Sequence, residues 1–267
     1  MKRKLRIIMS IFILVGLILT NISDLKVYVH PIINNMQYKW IIYRTNDFER
    51  IETKHFTIRY NTEDKKMPEL VGEIIEEKYE DVCAHFAYEP KDKTIVIIYD
   101  DGKELMKNSN IGQGKPPMGV YLGGIVQILS PEQWIDDEEN IREVFKNDGP
   151  MVHEFTHRLV DDLAKGNYPI WFTEGVALYE EYIQNGYEWG KGLSYEDKPY
   201  TVEELTKSFD DLDQTLAYKR SFELVKLFVD EYGYDPLNDI LMKLGEGKSF
   251  EEAHKEVLGS GTDEIYN

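Results

Sequence analysis

The chain has 267 residues, 42% of them hydrophobic and 12% aromatic, which is enough for one substantial core, built as one body or as two lobes. A balance of 31 basic against 49 acidic residues gives a net charge of -18, which argues against nucleic acid as a partner, since phosphate binding draws on cationic surface. Cys83 is the only cysteine, so an intramolecular disulfide and a cysteine-based metal cluster are both excluded.

Lys2, Arg3, Lys4 and Arg6 precede an uncharged apolar run, residues 7–20, that fades toward Ser23. This is the pattern of a membrane-targeting segment. At about 1.5 Å per residue, positions 7–23 span roughly 25 Å, short for a bilayer core but within what flanking residues or local thinning accommodate. No alanine occurs before Ala84, which removes any Ala-x-Ala cleavage site, and no cysteine follows the run for lipid attachment. An uncleaved transmembrane anchor over 7–23 is therefore the expectation, with a cleaved, secreted form as the alternative. Positive-inside bias puts residues 1–6 in the cytoplasm and the remainder on the extracytoplasmic side of the cell membrane, in a single-pass arrangement. Residues 24–50, with Tyr28, Tyr38, Trp40 and Tyr43 among polar positions, read as a juxtamembrane linker that forms a stalk or packs near the membrane surface, and the folded domain is expected over 51–267.

Apolar and polar residues alternate from Phe56 to Tyr60, as in a half-buried strand. Pro68 opens a helix in which Val71, Ile75, Val82 and Phe86 recur at helical spacing, and Cys83 falls on its core side. Thr94 to Tyr99 is a continuous apolar run, bounded by Asp100-Asp101-Gly102, and suits a buried central strand. After a loop over 112–117, Met118–Tyr121 and Gly124–Leu129 read as two short strands about a glycine turn. Ser130-Pro131 with Gln133 resembles a capping box at the start of a further helix. Later helix starts fall at Thr201 with Glu204, at Asp235-Pro236 and at Ser249 with Glu252, while 186–200 is the expected flexible loop. The second half is therefore expected to be largely helical.

Residues His153-Glu154-Phe155-Thr156-His157 carry the chemistry. On an α-helix, residues i and i+4 share a face, so His153 and His157 can turn ring nitrogens to one ion; on a strand they would stand roughly 13 Å apart, too far to share it. Glu154, about 100° around the helix, can reach a water at such an ion without ligating it. Pro150 suits the first turn of this helix and Gly166 its end. A short turn, 167–169, leads to a second helical pattern from Glu174 to Gln184. Two antiparallel helices joined so closely bring Glu174 beside the histidines as a third ligand. Catalytic zinc takes three protein ligands and leaves a position open, whereas a structural site is closed by four. Zinc is thus the expected cofactor, held by His153, His157 and Glu174 with Glu154 as general base, although such nitrogen and oxygen ligands also accept other divalent ions.

This motif, followed by Pro169-Ile170-Trp171-Phe172-Thr173-Glu174-Gly175-Val176-Ala177-Leu178-Tyr179, resembles the bacterial peptidase MA-like domain of the gluzincin metallopeptidases, the group that includes thermolysin and the zinc aminopeptidases. His55 to Tyr60 is similar to its opening strand, and the likeness runs over about 51–260. It implies an α+β, thermolysin-like catalytic domain with a small mixed N-terminal sheet and a largely helical C-terminal half, preceded here by the transmembrane helix. It also implies peptide or protein substrates and an oxyanion-stabilising tyrosine downstream of the third ligand, for which Tyr218, beside Arg220, is the candidate. In such folds the strand before the metal helix is commonly an open sheet edge, so the second of the two short strands is expected to line the cleft. Two departures matter. The Gly-x-Met-Glu-Asn element that holds a substrate's amino terminus is missing, which favours endopeptidase over aminopeptidase action. Leu178 stands where thermolysin-like enzymes carry an aspartate that orients a histidine, so another carboxylate or a carbonyl must do so. The reading from a different class is a non-catalytic, zinc-containing, membrane-tethered domain that binds a cell-envelope partner.

Overall fold

The structure, a computed structural model, describes residues 23–62, 65–112, 114–196 and 198–266. The expected transmembrane segment lies, but for Ser23, outside the described residues, and among these no helix is long and apolar enough to cross a membrane.

The first half carries a five-stranded mixed sheet. Its strands are β1 (Glu49–Glu52), β2 (Phe56–Tyr60), β3 (Thr94–Tyr99), β4 (Gly119–Leu122) and β5 (Ile125–Leu129), in the spatial order β1-β2-β3-β5-β4. β2, β3 and β5 run parallel, and β1 and β4 close the two edges antiparallel. β3 is central and buried on both faces, which is why its sequence is a continuous apolar run rather than an alternation. Helix α1 (Ser23–Arg44) and the short α3 (Gly102–Asn108) cover one face, where Ile41 and Leu105 meet Ile97, Tyr99 and Ile125. α2 (Lys66–Phe86) covers the other with Val71, Ile75, Val82 and the buried Cys83.

The second half is helical. α4 (Ile141–Asp148) leads into α5 (Met151–Ala164), which packs under the same sheet face as α2, its Phe155 ring edge-on to Phe56 at 5.3 Å. Then come α6 (Ile170–Asn185), α7 (Val202–Ser208), α8 (Gln214–Tyr232), α9 (Tyr234–Gly245), α10 (Phe250–Leu258) and α11 (Thr262–Tyr266). Capping boxes at Thr201 with Glu204 and Ser249 with Glu252 start α7 and α10, as their spacing predicts. The chain is therefore α+β, with a small N-terminal sheet and a helical C-terminal half.

Several local expectations are corrected. Ser130 opens only a single 3-10 turn, Pro131–Gln133, without a side-chain cap, and the next helix waits until Ile141. α6 begins at Ile170, directly after Pro169, so Glu174 sits a full turn inside the helix rather than at its start. β4, not β5, is the edge strand. β5 follows β4 in sequence but inserts between β4 and β3, because its five buried residues complete the apolar centre while β4 is only half-buried. Residues 23–44 form a helix packed against the domain, and β1 begins at Glu49.

Candidate metal centre

α5 and α6 run back to back through the turn at 165–169 and bring three ligand types together. One ligand atom each from His153, His157 and Glu174 lies within 4.8 Å of the others, the only such set of three among the described residues. Glu174 Oε2 stands 3.3 Å from His153 Nε2 and 3.6 Å from His157 Nε2. Two ligands bound about 2.05 Å from a tetrahedral ion are roughly 3.3 Å apart, so these separations and this mixture of imidazole and carboxylate suit zinc. The surrounding charge agrees. Burial opposes a charge on the His153 imidazole, yet Glu181, Glu174 and Glu154 overcome it and raise its pKa well above the ordinary value. Burial likewise opposes ionisation of Glu174, and His157 and His153 reverse this, holding its carboxyl far below the usual range. The site is built to hold positive charge.

Each imidazole is also held from behind. With Nε2 turned to the triad, the proton sits on Nδ1, which in His153 donates to Glu181 Oε2 at 3.2 Å and in His157 to Thr173 Oγ1 at 2.8 Å. Glu181 is the other carboxylate that the missing aspartate requires. The His157 partner is a hydroxyl, which is neither of the two groups expected. The signal for Glu181 was in the sequence: it follows Glu174 by two helical turns, and so shares its face of α6.

Glu154 is 6% exposed and lines the same cleft as His153. Burial pushes its carboxyl up, against the pull of His153 and His157. Edge strand β4 passes directly over it. A Cβ on Gly119 would stand 2.8 Å from Glu154 Oε1 and 2.7 Å from Pro150 Cβ, closer than side-chain carbons come, so only glycine lets the strand run here.

Tyr218 reaches the site from α8. Gly175 permits this approach, since a Cβ there would lie 2.4 Å from the Ser221 carbonyl oxygen. Burial, then the charges of Glu174 and Glu154, push the Tyr218 phenol well above its ordinary pKa, so it stays protonated beside both carboxylates. Together with His153 and Glu154, Met118, Trp134, Leu178, Tyr187 and Trp189 enclose a cleft of about 530 Å³. Its charged lining is acidic apart from the histidine, with Asp148 and Glu181 besides Glu154 and no lysine or arginine. A larger concavity of about 700 Å³, between β1 and α2, has glutamates but no histidine in its lining and offers no comparable ligand set.

The sequence-predicted residues His153, His157, Glu174, Glu154 and Tyr218 are thus brought to one site, of which His153, Glu154 and Tyr218 line the cleft, while the expected strand β5 does not line it. No curated protein matches the chain. Residues 142–266 match the family model of the Peptidase MA superfamily, a match that supports a metallopeptidase-like function in general terms. The stretch from α4 to α11, which carries the triad, Glu154 and Tyr218, is thus the part of the chain that is similar to the Peptidase MA superfamily.

Proposed function

We propose that the chain is a membrane-anchored zinc metallopeptidase that cleaves peptide bonds within a polypeptide, with its cleft on the extracytoplasmic side. The observation that carries this reading is the convergence of His153, His157 and Glu174 with a buried, non-ligating Glu154 beside them. Zinc held by the triad would supply Lewis acidity to the scissile carbonyl and to an attacking water.

This chain's own groups would do the rest. Glu154 takes a proton from the attacking water at its carboxylate and passes it to the departing amine; its burial makes it a stronger base than an exposed glutamate. Tyr218 donates its phenolic hydrogen to the oxygen on which negative charge develops. Glu181 and Thr173 fix the histidine rings, so no reorganisation is needed as the reaction proceeds. The half-buried edge of β4 offers backbone donors and acceptors to an extended substrate, beside Glu154 at the Gly119 end. Acidic lining of the cleft favours peptides with basic rather than acidic side chains near the cleaved bond.

The test is cleavage of casein or a peptide library by the native chain and by Glu154→Gln at matched zinc occupancy. Cleavage by the native protein alone is expected. Equal behaviour of the two would instead favour a non-catalytic zinc domain that binds a partner.

A further inference from the structure

Helix α1 is built inside out. Its protein-facing side is mostly polar: His30 Nε2 lies 2.6 Å from Asp161 Oδ1, Asn34 donates to Asp161 Oδ2 at 2.7 Å, and Gln37 packs on the turn at Gly123. Only Val27 and Ile41 on that side are buried apolar residues. The opposite side is apolar and open. Tyr28, Ile32, Met36 and Tyr43 are 72%, 62%, 67% and 75% exposed. At 100° per residue, offsets of 4, 8 and 15 positions from Tyr28 place the four within about 80° of one another. Trp40, 41% exposed, borders the strip. A surface helix normally faces its apolar stripe to the core; one that turns it away has a second surface to cover it.

Three observations favour lipid as that surface. Ser23 opens α1 only three residues after Thr20, the end of the apolar run that follows Lys2, Arg3, Lys4 and Arg6. At up to about 3.6 Å per residue, that gap holds the start of α1 within roughly 10 Å of wherever the run ends. Tyr28, Trp40 and Tyr43 have an apolar body and a polar tip, the side-chain type that collects at the membrane–water boundary. Finally, α1 carries Lys26, Lys39 and Arg44 against Asp24 alone, in a protein of net charge -18, so it is the element least repelled by a phosphate-bearing surface.

We propose that the strip formed by Tyr28, Ile32, Met36 and Tyr43 lies along the surface of a phospholipid bilayer as a second membrane contact. It rests on the membrane-anchoring part of the function proposed above. α1 is then a base plate rather than a stalk, and through Asp161 it ties the bilayer to the helix that bears both histidines.

The test uses the full chain in phosphatidylcholine vesicles, labelled with an environment-sensitive fluorophore at Met36→Cys or, as control, at Glu203→Cys on α7. Cys83 is buried and escapes labelling. The expected result is a blue-shifted label at 36, quenched several-fold more by a headgroup spin label than the label at 203, and protected from aqueous iodide. Equal iodide quenching at 36 and 203 overturns the proposal. So does a label at 36 shielded from both quenchers, which would mean that a second copy or another part of this chain covers the strip. An alkaline carbonate wash reads the anchor separately. A chain that washes off yet shows lipid quenching at 36 when vesicles are added back retains the contact and loses the anchor. A chain that resists washing while its label at 36 stays aqueous retains the anchor and loses the contact.

Discussion

His153 and Glu181 are joined across two helices, Nδ1 of the ring donating to Oε2 of the carboxylate at 3.2 Å, on the side away from Glu174. This bond aims the ring and raises its basicity as a ligand. Glu181→Gln keeps the shape and removes the charge. Zinc affinity, measured by competition with a chromophoric chelator, should fall about 10- to 100-fold. Unchanged affinity would show that the ring is aimed by something else.

Tyr218 lies beside Glu174 and Glu154 with its hydroxyl held protonated. Tyr218→Phe keeps the ring in its packing against Trp189 and Phe209 and deletes only the donor. Loss of one such donor costs about 3 kcal/mol of barrier, or roughly 100-fold in kcat, with KM and zinc content nearly unchanged. If kcat holds steady, the tyrosine is a packing residue.

At Gly119 the sheet edge meets Glu154, the proposed general base. Gly119→Ala should push Glu154 or β4 aside and lower kcat by about tenfold or more, since small displacements of catalytic groups are expensive. Circular dichroism and the melting temperature serve as controls, because the added methyl also meets Pro150 Cβ and a loss of fold has to be told apart from a displaced Glu154. Normal turnover in a normally folded variant would place Glu154 differently from what is described above.

His254 makes a prediction about acid. Its Nδ1 donates to the Phe250 carbonyl at 2.9 Å, so its Nε2 must accept from the Tyr266 hydroxyl at 2.8 Å, and burial holds its pKa down at about 4. Between the ordinary value of 6.5 and about 4, the unfolded chain binds a proton that the folded chain refuses. Stability is therefore fully present above this window and declines as pH falls through it, by about 3 kcal/mol at most. Urea midpoints at pH 7 and pH 4.5 for the native chain and for His254→Gln would separate this contribution from the rest. The same acid loss in both proteins would rule it out.

The convergence of the three candidate ligands was legible because their information is local. An i, i+4 pair on a helix and a glutamate one short turn later need only the helix period to be brought together. The sheet edge was not, because β4 and β5 are both short apolar segments, and which of them stays outside depends on the long-range pairing of β5 with β3. β1 escaped for the opposite reason: Glu49-Arg50-Ile51-Glu52 has a single apolar residue, and it is held as a strand by β2 rather than by its own preference. In α1 the usual inference from amphipathicity points the wrong way, since the residues that contact the domain are mostly polar. Glu181 could have been found from its spacing, but not matched to His153 without knowing how α5 and α6 cross.

Asp161 gathers His30, Asn34, Tyr121 and Tyr168 onto one carboxylate near the end of α5. The incoming helix, the sheet edge, the turn before α6 and the histidine-bearing helix consequently meet at a single point. The placement of the incoming helix is thereby tied, through one carboxylate, to the helix on which both imidazoles stand.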